Sequence, residues 1–486
     1  MAFLALPANA FVDPQGHNRA AIEAVCQQVV AQILDYLAGA SDHVPLPSVQ
    51  EIPFQGIPEQ PTAIAPLLDA LSDLMAQSMN PSHPGYMGHM DPLPSTASIV
   101  GDWVAAALNN NMLSVEMSPA LSRLEPLLLA EIAQLFGLGE TAGGLLTSGG
   151  TLANLQALTV ARNVKLGCLY EGLAGGPPPV IFASELAHTS IQKAGMLLGL
   201  GLNGVVPIPA NARGQMDIGT LDAKIQGAIA QGQQPFAVVA TAGTTVTGNI
   251  DPLPEIARIS QAYGLWLHVD AAYGGAIAFS PTHRYRLAGI EQADSVTFNP
   301  QKWLYVTKTC ASVLFRDLSL LHSHFRVSAP YMNTEANWAN LGELSVQGTR
   351  HTDVLKLWLT LAHLGKAGCA ELIDASYTLT DHFVAQVRQR PWLELASDPD
   401  MNLICFRGCP AALPPDQWDS WNAGLQQYLL NQHHTFLSLP VFQGQRWLKA
   451  VLLNPFTTAA QLSDLFLAVD EYAKLRAETL PSVEMP

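Results

Sequence analysis

The sequence predicts an α/β protein with a mostly parallel central sheet and a smaller α/β lobe after it. Through the middle of the chain, short apolar runs alternate with helical stretches, which is the pattern of a parallel sheet covered on both faces. Polar residues gather where the strands end and the helices begin. From about Gly365 onward the pattern changes to long helices with two alternating strands and no chemical motif.

Ala20 to Leu37 spaces Ile22, Val25, Val29, Ile33 and Leu37 for one apolar helical face. Val44 to Pro61 is extended, because its prolines lack the N–H that a helix interior needs. Asn80 to Pro92, with three prolines and two glycines, holds no regular structure and reads as a surface loop. Pro119 to Phe136 is a helix with proline in its first turn. Gly143 to Asn154, GGLLTSGGTLAN, is a glycine-rich turn entering a helix that continues to about Lys165. The strands follow: Val180–Ala183, Val205–Pro207, Phe236–Thr241, Leu265–Val269, Ser295–Phe298 and Ser312–Phe315, with helices at Leu221–Ala230 and Leu253–Tyr263. Val354–Leu364, capped by Thr352 or Asp353, Glu371–Val387, Asp416–Leu430 and Ala459–Tyr472 are helical. Asn402–Arg407 and Arg446–Leu453 alternate like strands. Three regions follow: an arm and strap over 1–90, a large domain over 91–359 and a small one over 360–486.

Three places carry chemistry. Pro300 stops a strand because it cannot donate to a sheet ladder, and Lys302 is presented directly after it between Gln301 and Trp303. A buried lysine is desolvated toward its neutral amine, which attacks carbonyls and forms Schiff bases. Upstream, LWLHVD ends a strand in Asp270, at the carboxyl end where open parallel sheets bind ligands, and the small residues from Ala271 to Gly275, Ala272 among them, leave room for a flat one. A buried carboxylate needs a cation, and a protonated pyridine nitrogen supplies one. At Gly150-Thr151, glycine lets the backbone approach an anion while the first-turn N–H groups of the following helix bind it. The stretch is not a P-loop, since the lysine is absent. A Schiff-base lysine and an acid for the ring nitrogen are the two parts of a pyridoxal phosphate site.

Composition narrows the rest. At 486 residues the chain can bury a large core, and 49% hydrophobic against 13% charged residues indicates much interior or interface. A net charge of −16 without a basic run argues against nucleic acid and anionic membranes. Six cysteines make no disulfide framework, and Cys405 and Cys409 lack the second pair that a zinc site needs, so no metal is expected. The opening MAFLALPANAFVDPQ lacks the basic region of a secretory leader, and Met196 to Val206 is broken by glycines, so a cytoplasmic setting is expected.

The runs HVDAAYGG and NPQKW resemble the group II pyridoxal-phosphate-dependent amino-acid decarboxylases, relatives of the aromatic-L-amino-acid and glutamate decarboxylases. The likeness spans roughly His83 to the C-terminal sheet. It implies fold type I, like aspartate aminotransferase, and a homodimer whose N-terminal arm wraps the partner and whose active site lies at the subunit interface. It further implies that Lys302 carries pyridoxal 5'-phosphate as a Schiff base, that Asp270 faces the ring nitrogen and that His188 stacks on the ring. Thr245 lies near the ring, and Gly150, Thr151, Asn299 and Gln301 hold the phosphate end. Gln301 is a departure, since the family most often has histidine there; glutamine can still donate a hydrogen bond but does not titrate. Tyr86, Met87 and His89 correspond to the amino-acid pocket, Arg350 to an arginine near the α-carboxylate, and Tyr331, on a loop over the site, to the residue that protonates Cα. The reaction implied is decarboxylation of an L-amino acid to its amine and carbon dioxide. Aldehyde-forming oxidative deamination or carbon–carbon lyase chemistry on the same scaffold is the alternative, and a non-catalytic relative a third. Aromatic, acidic and small polar substrates all stay open.

Overall fold

The structure, a computed structural model, describes residues 7–48, 50–52, 56–328 and 339–478. Strands β1 (Gly143–Thr147), β2 (Pro179–Ser184), β3 (Val205–Ile208), β4 (Gln234–Thr241), β5 (Trp266–Asp270), β6 (Ser295–Phe298) and β7 (Ala311–Phe315) form one sheet. Their order is β1-β7-β6-β5-β4-β2-β3, and only β7 runs against its neighbours. Every residue of β5, β6 and β7 is buried, as expected of a sheet covered on both faces. Each fully buried Val, Ile or Phe there contributes about 1.5–3 kcal/mol.

The runs expected as strands are β2 to β7, each within two residues of its expected ends. β1 was not expected. Glycine is a poor strand former, so GGLLT reads as a turn; here it is required, because a Cβ on Gly144 would collide with the Val313 carbonyl of β7. The helix Gly150–Leu166 then crosses the sheet from β1 toward β4.

The helices expected over 354–364 and 371–387 are two halves of one, Asp353–Arg388, bent where Gly365 adopts φ +65°. Its first half packs in the large core through Val354 and Leu357, its second in another core through Phe383, Val384 and Val387. The boundary expected at 359/360 falls inside this helix. Thr352 gives it no side-chain cap, and Asp353, its first residue, instead pairs with Lys356 at 3.0 Å. Pro119 lies ahead of its helix, which runs Leu121–Leu135.

The second core sits beneath the antiparallel strands β8 (Leu393–Leu395), β9 (Leu403–Gly408) and β10 (Leu448–Val451), where Phe383 meets Phe406 and Phe466 edge-on at 5.3 and 4.9 Å. At the other end of the chain, Arg19–Ala38 buries no residue and Ile64–Ala76 buries only Leu68. No helix among the described residues is long and apolar enough to cross a membrane.

Candidate active site

The carboxyl ends of the parallel strands converge on one cavity of about 160 Å³. β1 leads into Gly150 and Thr151, β2 into His188 and Ser190, and β4 ends in Thr241 with Gly243 and Thr245 beyond it. β5 ends in Asp270 before Ala272 and Tyr273, and β6 runs out into Asn299 and Lys302. All of these line the cavity, together with Asn154 from the helix that follows β1.

At one end, Gly150 and Thr151 open the helix, where first-turn N–H groups have no intrahelical acceptor. Opposite them stands Asn299. A Cβ on Gly150 would lie 2.9 Å from the Asn299 amide nitrogen, so glycine keeps this end open. The Asn299 amide oxygen is buried without a partner among the described residues.

On the sheet side, Asp270 accepts two hydrogen bonds, Oδ1 from the Ala272 amide at 3.1 Å and Oδ2 from Asn154 Nδ2 at 2.9 Å. His188 turns an exposed ring to the cavity, and its Nδ1 accepts from the Ser190 amide at 3.2 Å, leaving the proton on Nε2. Burial lowers the His188 pKa, Lys302 and Lys193 add to this, and Asp270 opposes it. Burial likewise lowers the Lys302 ammonium below its ordinary range, against the pull of Asp270 and Asp91. A lysine shifted this way offers more neutral amine at neutral pH.

The small residues after β5 serve packing as much as space. A Cβ on Gly274 would strike the Ala242 carbonyl, and one on Gly275 would lie 2.7 Å from Phe298. Ala272 is the small residue that borders the cavity. Tyr273 stacks on Trp303 at 5.2 Å and donates its hydroxyl to Asn402 at 2.7 Å.

Other expected residues lie apart. Gln301 does not line the cavity: its amide oxygen accepts from the Cys310 N–H at 2.5 Å. Arg350 is buried under β1, with Nη2 donating to Glu125 at 2.5 Å and to the Leu146 carbonyl at 2.9 Å. Its Nη1 is buried without a hydrogen-bond partner among the described residues. Asn80 to Pro92 is not a surface loop. Met87 accepts from the Val451 amide and donates to the Phe436 carbonyl, stitching the segment to β10. Tyr86 is buried against Phe436 and donates to Met79 Sδ at 3.3 Å, and Met87 packs in the second core. His89 is the exposed member of the three, edge-on to Phe436 at 5.3 Å. Tyr331 lies outside the described residues.

Two residues went unread in the sequence. Asn154 stands four positions after Gly150, one helical turn along the same face, and that spacing was the available signal. Lys449, in the middle of β10, carries no motif. Only 6% exposed, it reaches the carbonyl of Thr245 at 3.3 Å. Among the described residues no carboxylate lies within ion-pair range of it. Burial lowers its pKa; Lys302 adds to this, while Cys405 and Asp91 oppose it.

The cavity fits pyridoxal phosphate on its own residues. It has an N–H-rich helix start with an orphaned buried amide for the anionic end, a carboxylate for a ring nitrogen, an imidazole face and a desolvated amine.

Comparison with known proteins agrees. Residues 48–408 match the profile of the pyridoxal-dependent decarboxylase conserved domain. The chain is 35% identical over 353 residues to cysteine sulfinic acid decarboxylase of Rattus norvegicus, covering 71% of each. It superposes on the crystal structure of mouse CSAD in apo form with a TM-score of 0.86 at 28% identity, over 93% of this chain and 99% of that one. For Oryza sativa TDC with PLP and tryptamine the TM-score is 0.89 at 24% identity, over 96% of this chain and 100% of that one, a likeness of fold.

Proposed function

From the premise that this chain belongs to the pyridoxal-dependent decarboxylase family, we propose that its substrate is an amino acid with an anionic side chain, recognised by Lys449. The enzyme is a carboxy-lyase that uses pyridoxal 5'-phosphate to convert an amino acid to its amine and carbon dioxide.

When bound, the cofactor supplies an electron sink for the bond that breaks between Cα and the carboxylate. The protein's part is to hold and orient. In this reading Gly150, Thr151 and Asn299 would hold the phosphate, Asp270 would set a negative charge against the ring nitrogen, His188 would cover one face, and the Lys302 amine would hold the aldehyde. Tyr331 is assigned the proton that Cα takes up, by resemblance. Orientation alone accounts for several kcal/mol of such a barrier, on the order of 7 or more in well-aligned cases.

Lys449 carries the substrate reading. A buried ammonium is costly unless paired, and this one, next to cavity-lining Thr245, has only that residue's carbonyl as a partner among the described residues. A carboxylate or sulfinate on the incoming side chain completes it. That the related rat protein is named a cysteine sulfinic acid decarboxylase is in keeping with this reading. The test is carbon dioxide and amine release from cysteine sulfinate, aspartate and glutamate against tryptophan and tyrosine. Turnover of an anionic substrate at least tenfold above the aromatic ones supports the proposal, and the reverse order ends it.

We further propose a homodimer in the cytoplasm. The helix Thr96–Leu108 packs Gly101 against Lys356 and leaves Val100, Trp103, Val104 and Leu108 exposed on its other side. Such a patch suits a second copy of the chain. All six cysteines are unpaired, as suits a reducing compartment. Sedimentation as a monomer overturns the dimer.

A further inference from the structure

Behind Asp270 runs a chain of buried polar groups that the reaction does not use directly. The indole Nε1 of Trp266 donates to Ser295 Oγ at 2.8 Å, and Ser295 Oγ lies 2.9 Å from His268 Nδ1. His268 Nε2 lies 3.0 Å from Asn154 Oδ1, with the Thr297 hydroxyl at 3.5 Å. Asn154 Nδ2 then donates to Asp270 Oδ2 and to Ser190 Oγ, both at 2.9 Å. Trp266, His268, Ser295, Asn154 and Ser190 are all at most 2% exposed.

The directions of these bonds follow from the donors available. A carboxylate only accepts, so the Asn154 amide nitrogen must face Asp270 and its oxygen must face His268. His268 Nε2 must therefore carry a hydrogen. Ser295 Oγ already accepts from the indole, so its own hydrogen is free for His268 Nδ1, which accepts. With Ser295 donating to Nδ1 every member is paired, and His268 is then a neutral imidazole with its proton on Nε2. Complete burial agrees, pulling the His268 pKa down to about 4 against the opposing effects of Asp270 and the Ser295 backbone.

We propose that His268 is a positioning residue: held by Ser295, it locks the Asn154 amide so that Asp270 stays an oriented, ionised acceptor for the cofactor's ring nitrogen. A protonated histidine here would compete with that nitrogen for the same charge, and a flipped amide would turn an oxygen toward the carboxylate. The inference rests on the reading that Asp270 meets the ring nitrogen, and the experiment separates the two.

Binding of pyridoxal phosphate to the cofactor-free protein is compared with binding of its analogue in which carbon replaces the ring nitrogen, for the wild type, His268→Leu, His268→Gln and Asp270→Asn. The wild type should prefer pyridoxal phosphate, and Asp270→Asn should lose that preference. His268→Leu should weaken pyridoxal phosphate about tenfold while leaving the analogue within about threefold, since a bond to a charged group is lost only where that charge has a partner. Glutamine both donates and accepts, so His268→Gln should recover most of the loss. If Asp270→Asn keeps the preference, the reading of Asp270 fails. If only Asp270→Asn loses it, or if His268→Leu weakens both ligands alike, the positioning role fails. Nitrogen NMR of the His268 ring in the wild-type protein without cofactor needs no variant. A proton on Nε2 at neutral pH supports the proposal, and one on Nδ1 overturns it.

Discussion

Replacing Lys449 by glutamine removes one buried charge while keeping a hydrogen-bond donor near Thr245. Two unit charges about 4 Å apart attract by about 1 kcal/mol in water and about 4 kcal/mol at the effective dielectric of a protein site. At 6% exposure Lys449 belongs near the second value. Part is offset by stripping water from the substrate's anion, and charged hydrogen bonds measured in proteins contribute about 1.5–3 kcal/mol net. About 2 kcal/mol is thus the expected loss, which is about thirtyfold in kcat/KM. Steady-state kinetics with cysteine sulfinate or glutamate should show this mainly as a raised KM, because the side chain's charge does not change as carbon dioxide leaves. With a neutral amino acid the same variant should change by less than about threefold. A thirtyfold loss for neutral and anionic substrates alike would refute the reasoning, because Lys449 would then be reading the α-carboxylate that all amino acids share.

Other perturbations follow from the same geometry. Glu125→Gln leaves the Arg350 guanidinium buried without its carboxylate, so the urea midpoint should fall by the equivalent of about 3 kcal/mol at unchanged slope; a loss below about 1 kcal/mol would contradict a tight internal pair. Gly150→Ala puts a Cβ 2.9 Å from Asn299 and should weaken pyridoxal phosphate about tenfold in equilibrium dialysis, the worth of one hydrogen bond; unchanged affinity would place the phosphate elsewhere. Acid stability reports on His268. As pH falls, the unfolded chain takes up this proton near 6.5, whereas the folded chain waits until about 4. The protein therefore loses on the order of 3 kcal/mol across that window and no more from this group below it. Denaturant melts through the window should slope less in His268→Gln, and parallel curves would contradict a buried neutral imidazole.

How far the sequence could be read depended on whether a signal was local. The alternation of apolar runs revealed β2 to β7 because each strand is short, largely apolar and bounded by turn residues. β1 stayed hidden because Gly144 answers to a neighbour, the Val313 carbonyl, that lies far along the chain. Lys302, Asp270 and Gly150 were legible because each stands where a strand ends or a helix starts, and position there already implies chemistry. Arg350 is hard to read for the opposite reason. Its partner Glu125 lies 225 residues away, and nothing local tells an arginine held by a carboxylate from one waiting for a substrate. Tyr86 and Met87 sit in a proline-rich loop that looks solvated, yet backbone bonds to Phe436 and Val451 draw it into the second core. Lys449 shows no pattern at all, being a single cation inside an apolar strand. Its meaning comes only from the cavity wall it reaches.

The whole chemistry depends on which amine holds the cofactor. Reducing the loaded protein with borohydride fixes pyridoxal phosphate to whichever lysine it occupies, and digestion followed by mass spectrometry identifies that lysine. The label is predicted on Lys302, with loss of both yellow colour and label in Lys302→Ala. Label on Lys449 instead, or a Lys302→Ala protein that stays yellow and active, would contradict this assignment at its base.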